Sequence, residues 1–597
     1  MCIRDRFGRE FSDLKKGETY HVSVWMKREK GIGYLVIKDE NGNLNFNIEN
    51  STQRKNGWEL LETEFSLPYD KNIESVNIYT MTNGQGEIFF DQLKVENKTT
   101  RKSPSTTAIK PESINLIIKD KAYDKLRKKR SIALANGVLQ QGDDDWVKAK
   151  ISTSSDEMIP VKLRLKGDWL DHLKGKKWSF RIKVKDPYAW KQMKTFSLQT
   201  PEARGYLDEW ILHQFWKKED VLTPRYDFVE VKINDEPIGI YAWEEHFDKH
   251  LPEAQLRREG PIVRFSEEGF WENNKQTIHE YADNPYRRPN YLGDHDNATI
   301  QPFKESKILA SPQLLEQYKI AQNLLHQYRS GLQSPEQIFD LEKLATYYAI
   351  CDALQAYHGT AWHNERFYYN PVLSKLEPIG FDGFPTYHKP KSFLGEGSLN
   401  KKVFHGEDIK DALFLNHDFI KQYISKLFLL SDEMYLDTFY QNIQSEVDAR
   451  VLFLKKEYPY YLSPIETMRK KAIGLRTAIL PINNLSIQAY QESPEELKIW
   501  NLHGLPIEII GFGKTNKNIS TYLDKPIIFK GLMKKSQDEY GSIEVARKTN
   551  YIFYRVFGTE KIYHSKVNPW QIPQNFAPAQ SILSLSLIHI SEPTRPY

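Results

Sequence analysis

Two polar residues, Asn364 and Asp382, stand at the two ends of one short predicted hairpin. The first follows His363 and opens an aromatic strand, and the second closes the segment that begins at Leu376. An amide oxygen and a carboxylate at these positions could share a divalent cation. Phosphoryl transfer needs such a cation to bridge the phosphates, together with basic side chains that neutralise them. The plainer interpretation is that both residues only form turns.

Basic side chains are concentrated on two predicted strands, Val161–Leu165 and Trp178–Val184, which a glycine-containing turn connects. Because side chains alternate between the two faces of a strand, one face of the second strand is apolar. Arg181 and Lys183 lie on the other face. A basic strand face beside a cleft can clamp phosphate groups. A solvated sheet face would give the same pattern, so the stripe alone does not identify a site.

A predicted hairpin begins at Phe228, turns near Asn234 and Asp235, and ends in two consecutive carboxylates. Those carboxylates, Glu244 and Glu245, point to opposite faces of the strand. Only one of them can therefore point inward, where it would act as the acidic partner that phosphoryl transfer requires.

Strand patterns dominate the first part of the region from Ile114 to about Leu462, and helical patterns dominate the later part. Strands followed by helices indicate an α+β domain with a sheet lobe and a helical lobe. A cleft between the two lobes is where a ligand would bind. The predicted helices are Leu207–Lys218, Pro312–Gln327, Leu341–Leu354 and Asp418–Leu430.

The N-terminal part, residues 7–97, is predicted to be all β, because its segments alternate between apolar and polar residues and Asn-Gly turns separate them. Its phrases Gly17-Glu-Thr-Tyr-His-Val-Ser-Val-Trp and Ile88-Phe-Phe-Asp-Gln-Leu-Lys-Val resemble the later strands of jelly-roll carbohydrate-binding modules. The resemblance implies a partial β-sandwich whose opening strands precede residue 1. Aromatic residues of a sandwich more often belong to its core than to a sugar site, and the residues concerned are Trp25, Trp58 and Tyr79.

Further segments complete the predicted organisation. Residues 98–112, rich in Thr, Ser, Lys and Pro, are predicted to form a linker. The α+β domain would extend over residues 113–462, and a β-rich domain over residues 463–575. Residues 1–6 and 587–597 look like translated sequencing-adapter sequence and are excluded from the fold prediction.

The composition of the 597-residue chain excludes several classes of function. With 83 Lys and Arg against 79 Asp and Glu, no global field directs the chain to nucleic acid. Charges interrupt every hydrophobic run, so no transmembrane segment is predicted. Cys2 and Cys351 are the only cysteines, which excludes a disulfide framework and a multi-cysteine zinc site.

Together, the basic strands, the hairpin and the Asn-Asp segment resemble the CotH kinase family over roughly residues 114–460. Members of that family carry, in this order, an Arg-containing strand with a Gly turn, a basic strand, a Phe-Val-Glu-Val hairpin ending in Glu, a His-Asn strand and an Asp. The resemblance implies an atypical protein-kinase-like fold that binds ATP and Mg²⁺ or Mn²⁺ between its lobes. It also implies phosphorylation of Ser or Thr on secreted or cell-surface proteins, and hence an extracytoplasmic location.

Carried over residue by residue, the resemblance assigns metal binding to the short hairpin and phosphate binding to basic residues. Asn364 and Asp382 would hold the metal, and Glu245 would position it. Asp382 would also take part directly in catalysis. The residues expected to contact phosphate are Arg164, Lys177 and Arg181.

The chain departs from the family pattern at two points that concern the catalytic base. Residues 358–359 are His-Gly where members often have Asp, and Asp382 stands alone in place of the usual Asp-x-Asp. Three residues are candidates for the role of base: Asp352, on the preceding predicted helix, His358 and His363.

Two alternatives to an active kinase remain. In the first, the kinase-like domain is a catalytically weak pseudokinase, and the protein is a surface scaffold whose β domains attach to glycan or matrix. The second, a glycoside hydrolase, requires a separated pair of catalytic carboxylates, and the sequence offers no convincing pair. The expected partners are a protein substrate and, through the N-terminal β-sandwich, a glycan.

Overall fold

The computed structural model describes residues 8–97, 112–277, 297–383 and 413–569, with short gaps within three of these ranges. Residues 98–111 of the predicted linker (residues 98–112) and both adapter-like ends lie outside the described residues. The predicted fold class is confirmed, because a β-sandwich, a central α+β region and a C-terminal β-rich region follow one another along the chain. Among the described residues, no helix is both long and apolar enough to cross a membrane.

Residues 8–97 fold into two antiparallel sheets of four strands each. The strands are β1 (Gly8–Phe11), β2 (Thr19–Arg28), β3 (Ile32–Asp39), β4 (Asn45–Ile48), β5 (Gln53–Lys55), β6 (Trp58–Ser66), β7 (Val76–Asn83) and β8 (Ile88–Asn97). Their orders are β1-β7-β3-β4 and β5-β6-β2-β8. Val22 and Val24 of one sheet and Leu35 and Ile37 of the other share a single apolar core. The predicted β-sandwich is therefore confirmed.

Three aromatic residues of the sandwich lie outside this core. Trp25, Trp58 and Tyr79 are each half-buried, and none of them belongs to the apolar cluster between the sheets. The expectation that they are core residues is therefore wrong. Their side chains point away from the space between the sheets, because alternate residues of the same strands already fill it.

The next region forms a closed barrel of seven strands. They are β9 (Ser113–Ile117), β10 (Val147–Thr153), β11 (Met158–Leu165), β12 (Phe180–Val184), β13 (Thr195–Gln199), β14 (Tyr226–Ile233) and β15 (Glu236–Glu245). The order around the barrel is β10-β11-β12-β13-β15-β14-β9. Apolar side chains such as Leu163, Ile182 and Val231 fill the interior, and helix α1 (Asp120–Asn136) adds Leu126 to that core. The charged residues of these strands must therefore point outward.

The hairpin of β14 and β15 turns at Asn234 and Asp235, as the sequence predicts. Both residues have positive φ angles, 49° and 68°. A two-residue turn of type I′ requires this conformation at both positions, and Asn and Asp tolerate it better than most residues. The turn fixes the register of β15 and thereby the face on which each carboxylate at its end lies.

After the barrel, the chain is mainly helical, and its large apolar core also includes Phe228 and Ile240 of the barrel strands. The helices are α2 (Leu207–Lys218), α3 (His250–Ala254), α4 (Glu268–Thr277), α5 (Glu305–Ala310), α6 (Pro312–Arg329), α7 (Pro335–Ile338), α8 (Leu341–Leu354), α9 (His417–Leu430), α10 (Glu433–Lys455) and α11 (Ile465–Ile479). The bounds of α2 and α8 are those predicted, and α6 and α9 differ from prediction by at most two residues. Helix α8 is buried along almost its whole length. The helical lobe is thus organised around α8.

A small antiparallel sheet accompanies the helices. Its strands are β16 (Ile262–Phe265), β17 (Ile300–Pro302), β18 (Arg366–Asn370) and β19 (Lys375–Pro378), in the order β17-β16-β18-β19. Strands β18 and β19 are the predicted aromatic hairpin. Asn364 precedes the first strand and Asp382 follows the second, which is the arrangement that the sequence predicts.

The C-terminal region forms a seven-stranded sheet in the order β23-β22-β25-β26-β20-β21-β24. Its strands are β20 (Ile487–Ser493), β21 (Glu496–Asn501), β22 (Ile507–Gly513), β23 (Thr521–Phe529), β24 (Gly541–Glu544), β25 (Tyr551–Val556) and β26 (Ile562–Pro569). Helix α11 was assigned to this region by the predicted boundary at residue 462, but Met468 and Ala472 pack in the helical core. Leu505 and Val556 of the C-terminal region belong to the same cluster, so the boundary at residue 462 stays a prediction.

Candidate active site

The outer face of the barrel carries a row of polar residues across four neighbouring strands. Arg164, Arg181, Ser197 and Glu244 are directly opposite one another on β11, β12, β13 and β15. Neighbouring strands lie roughly 5 Å apart, so the row is continuous. The apolar residues between them, such as Leu165 on β11, point into the barrel. Strand alternation therefore places these four side chains together on the surface that faces away from the barrel core.

A chain of buried charges connects this face to the loop after β19. Lys166 Nζ lies 3.4 Å from Glu244 Oε2, and Arg204 Nε lies 4.0 Å from Glu244 Oε1. The Arg204 guanidinium also donates to Asp382 Oδ1. All four residues are less than a tenth exposed. Because buried charges require partners, these contacts form a chain, Lys166–Glu244–Arg204–Asp382, from the outer face of the barrel to the loop after β19.

Burial shifts the proton affinity of several groups on this face. It lowers the pKa of Lys166 to about 7, against the attraction of Glu244. Burial opposes the ionisation of Glu244, yet Lys166 and Arg204 outweigh it and keep the pKa of Glu244 below its usual value. Burial and the charge of Glu267 raise the pKa of Asp168 to about 6. Two groups that titrate near neutrality on one face are typical of a functional site.

The backbone around Asp382 is held in an unusual conformation. Asp382 has a φ of 54°, which non-glycine residues rarely adopt. Gly380 and Gly383 flank it, and a Cβ at either position would collide with the buried ring of Trp216. The amide of Gly380 also donates to Leu222 O at 2.7 Å. Close packing against helix α2 therefore fixes the position of the carboxylate.

Asn364 and Asp382 meet at the imidazole of His358. His358 Nδ1 lies 2.8 Å from Asp382 O, 3.2 Å from Asp382 Oδ1 and 3.1 Å from Asn364 Nδ2. Asn364 Nδ2 also donates to His358 O at 2.9 Å. Burial lowers the pKa of His358 to about 4, so the ring is neutral near pH 7. The predicted pair is therefore brought together, with a neutral histidine between its members.

These residues fit a metal that is bound jointly with phosphate. In the part of the chain that the structure describes, no cluster of three or more His, Cys, Asp or Glu side chains is arranged for a metal. Magnesium, however, is commonly held by only one or two carboxylates together with substrate phosphates and water. Asp382 supplies a carboxylate, and Asn364, which contacts the same His358 ring, carries an amide oxygen that could be the second protein ligand.

The barrel face also fits the phosphates. Ser197 Oγ, Gln199 Nε2 and Arg164 Nε are buried and lack a hydrogen-bond partner among the described residues. Buried donors without a partner cost roughly 1–3 kcal/mol each, so they are uncommon unless a ligand completes them. Phosphate oxygens bind to hydroxyl, amide and guanidinium donors of this kind. A phosphate chain lying on this face would satisfy donors that the protein leaves open.

Arg164 and Arg181, both predicted to contact phosphate, lie on this face. The Arg164 guanidinium lies 5.1 Å from the centre of the Trp146 ring, and Arg181 contacts His246 Nδ1. Burial lowers the pKa of Arg181 to about 10, which leaves it charged at neutral pH. Both side chains therefore present positive charge where the phosphates are expected.

The prediction for Glu245 is corrected to Glu244. Strand alternation puts Glu244 on the face of Lys166, whereas Glu245 forms a two-bond ion pair with Arg225. Arg225 Nε lies 3.0 Å from Glu245 Oε2, and Arg225 NH2 lies 2.6 Å from Glu245 Oε1. This pair is complete, so Glu245 has a structural role.

Lys177 does not join the row either. Its ammonium contacts the Glu457 carboxylate and donates to Tyr458 Oη at 3.0 Å and to Ile240 O at 3.1 Å. It precedes β12 and therefore contacts the segment that follows helix α10. Lys166, which directly follows β11, is the lysine that lies beside Glu244 at the site.

Two of the three candidate bases are engaged elsewhere. Asp352, on α8, accepts hydrogen bonds from Tyr357 Oη at 2.6 Å and Tyr423 Oη at 2.7 Å. This pairing lies in the helical core, which makes Asp352 a structural residue. His363 stacks on Phe270, with 5.7 Å between the ring centres. Of the three, His358 is the one in contact with Asp382.

Sequence reasoning missed several residues of the site. Lys166 carried a usable signal, because it continues the alternation of Lys162 and Arg164 on one face of β11. Ser197 was missed because the strand β13 was not predicted. Arg204 ends a short turn of 3₁₀ helix, Pro201–Arg204, which has no periodic pattern that would reveal it.

Comparison with known families agrees with this geometry. A family model described as CotH kinase protein matches residues 163–383, which begin just before Arg164 and end just after Asp382. A second model, described as a carbohydrate binding domain, matches residues 7–86. No curated protein matches the chain. Over these two ranges, the chain is similar to CotH kinase proteins and, N-terminal to them, to carbohydrate binding domains.

Proposed function

We propose that this protein is a CotH-like atypical kinase, which transfers the γ-phosphoryl group of ATP to Ser or Thr of secreted or cell-surface proteins. Mg²⁺ or Mn²⁺ would be the metal. The observation that carries the proposal is the chain Lys166–Glu244–Arg204–Asp382, which runs beside buried donors without partners. A lysine–glutamate pair and a metal-binding aspartate are recurring parts of protein kinases.

Each charged residue has a distinct task in this proposal. Asp382 and Asn364 would hold the metal, which would supply positive charge to neutralise the phosphates. Glu244 holds Lys166 on the barrel face, where its ammonium neutralises phosphate. Arg204 fixes the Asp382 carboxylate through its guanidinium. Arg164 and Arg181 bind the remaining phosphate oxygens.

In the transfer itself, the acceptor oxygen forms the new bond to the γ-phosphorus while the bond to the bridging oxygen breaks. ADP leaves with that electron pair, and the hydroxyl proton passes to a base. We assign this role to His358, whose side chain is 37% exposed and lies 3.2 Å from Asp382 Oδ1. A neutral imidazole can accept the proton, and phosphoryl transfer with a loose transition state needs little help from a base.

The test compares the wild type with Asp382→Asn in the full chain. We expect ATP with Mg²⁺ to raise the melting temperature of the wild type, because a ligand that binds the folded state stabilises it. Asp382→Asn should lose the metal-dependent part of the shift and lower phosphoryl transfer by about a hundredfold to a thousandfold. Phosphorylated Ser or Thr is measured by mass spectrometry.

Asp524→Asn is the matched control, since Asp524 is exposed on β23 of the C-terminal sheet. It should behave as the wild type in both measurements. An absence of any shift at millimolar ATP would contradict the proposal. A shift that Asp382→Asn leaves unchanged would place the nucleotide elsewhere.

One observation favours the alternative, a catalytically weak pseudokinase that acts as a surface scaffold. Asp382 is already paired with Arg204, and the described residues contain no cluster of three or more acidic, histidine or cysteine ligands. In that alternative, the carbohydrate-binding-type domain attaches the protein to glycan. ATP would then stabilise the protein without any phosphorylated product, a result that separates the two functions.

A further inference from the structure

The outer face of the barrel continues beyond the candidate site as a row of lysines. Lys148, Lys162 and Lys183 are directly opposite one another on β10, β11 and β12. All three side chains are exposed. Within the described parts of the chain, none of them makes an ion pair. We call these three residues the lysine row.

The lysine row destabilises the barrel, and one of its members, Lys183, is held in place by a ring contact. Like charges directly opposite on neighbouring strands destabilise a sheet, so the arrangement does not contribute to stability. Lys183 Nζ lies 4.1 Å from the centre of the Trp146 ring, and the Arg164 guanidinium lies 5.1 Å from the same centre. One indole therefore orients a cation of the lysine row and a cation of the site.

The positive charge extends further and is only partly balanced. On β13, Thr195 is opposite Lys183, and Lys304 Nζ donates to Thr195 Oγ1 at 2.7 Å while it lies 3.8 Å from Asp248 Oδ2. Asp143 attracts the Lys183 ammonium. The positive charges of Arg164, Lys162 and Arg181 repel it. The face thus retains an excess of positive charge beside the candidate site.

We propose that the lysine row docks an acidic segment of the protein that is phosphorylated. The inference rests on the proposed function, because Arg181 of the site and Lys183 of the row are two residues apart on one face of β12. A segment on the row would lie roughly 7 Å from Arg181. Charge complementarity favours carboxylates, and a match to a carbohydrate binding domain lies elsewhere in the chain, at residues 7–86.

The experiment measures the binding of two labelled peptides to the full chain by fluorescence anisotropy. One peptide alternates acidic residues with Ser, and the other alternates Lys with Ser. We expect the wild type to bind the acidic peptide more tightly than the basic peptide, and more weakly as salt is added. Replacing the lysine row with Gln (Lys148→Gln, Lys162→Gln and Lys183→Gln together) should weaken acidic-peptide binding about tenfold, as expected for three exposed ion pairs.

A matched control removes the same number of charges elsewhere. Lys514, Lys517 and Lys525 are exposed residues of the C-terminal region, and their change to Gln should leave peptide binding unchanged. The stabilisation by ATP and Mg²⁺ should be equal in the wild type and in both triple variants. With ATP saturating, the lysine-row variant should raise KM for the acidic peptide and leave kcat unchanged.

The outcomes separate this inference from the proposed function. Equal binding of the acidic peptide by the wild type and the lysine-row variant would overturn the inference, whatever ATP does. Absence of ATP stabilisation would overturn the proposed function, while the anisotropy would still report on the lysine row. Tighter binding of heparin than of the acidic peptide, lost in the same variant, would overturn the inference in favour of an acidic polysaccharide.

Discussion

Glu244 and Glu245 are neighbours on one strand and are equally buried. Each lies beside a basic side chain, but the ion pair of Glu245 is closer and has more hydrogen bonds than that of Glu244. The carboxylate of Glu245 accepts two short hydrogen bonds from Arg225 and a third from its backbone amide at 3.2 Å. Glu244 lies 3.4 Å from Lys166 and 4.0 Å from Arg204, and its Oε1 has no hydrogen-bond partner among the described residues.

The difference teaches how a functional charge is distinguished from a structural one. A buried ion pair whose hydrogen bonds are all made resists change and leaves nothing for a ligand. The loosely paired cluster around Glu244 includes a lysine whose pKa burial lowers to about 7. Such a cluster gains more from an incoming anion than a complete pair would. Incomplete pairing, rather than burial itself, marks the candidate site.

The largest effect expected from this comparison is that of Glu244→Gln. Lys166 would lose the partner that holds it on the barrel face, so we expect kcat/KM for phosphoryl transfer to fall about a hundredfold. The free energy of unfolding should change by less than about 1 kcal/mol, because Lys166 can release its proton and remain buried as a neutral amine. Full activity of this variant would remove Glu244 from the site.

Glu245→Gln should have the opposite effects: it should lower stability and leave the affinity for ATP unchanged. Arg225 would lose half of a two-bond ion pair, so we expect the free energy of unfolding to fall by about 2 kcal/mol. The Arg225 side chain is 30% exposed, and water screens part of the loss. Urea denaturation measures the change. The affinity of this variant for ATP should equal that of the wild type. A loss of ATP affinity without a loss of stability would contradict the proposed difference between the two carboxylates.

The smallest effect is a pH dependence that belongs to Lys166. Burial lowers its pKa to about 7, and a bound phosphate would raise it again. Above pH 7 the lysine must therefore take up a proton when ATP binds, so affinity should fall about fivefold between pH 7 and pH 8. Calorimetry in buffers of different ionisation enthalpy measures the proton uptake. Lys166→Arg stays charged and should abolish it; an unchanged uptake would assign the proton to another group.

Much of the fold was predictable because local patterns agreed with the final packing. The apolar spacing of Leu207–Lys218 and Leu341–Leu354 gave helices with the observed bounds. The alternation on β12 correctly placed Arg181 outside the barrel. Asn234 and Asp235 predicted their turn because their side chains tolerate positive φ. Such features depend on a few neighbouring residues, which the sequence displays.

The site was less predictable because its contacts join distant segments. Strand alternation predicts that Glu244 and Glu245 separate, but only the three-dimensional packing determines which of them meets Lys166. From the sequence, Asp352 is a candidate catalytic base, but in the folded helical core its oxygens accept hydrogen bonds from two tyrosines. Arg204 reaches Asp382 across 178 residues of sequence from a turn that carries no pattern. Contacts of that range are set by tertiary structure.

Because Gly380 and Gly383 pack against Trp216, the position of the Asp382 carboxylate depends on the cooperative folding of the helical core. Asp382 is not carried on an independent loop, because the ring beneath it belongs to helix α2 and is fully buried. Local opening that frees Asp382 would also expose part of that core. The position of the carboxylate should therefore persist up to the temperature at which the helical lobe unfolds, and be lost with it.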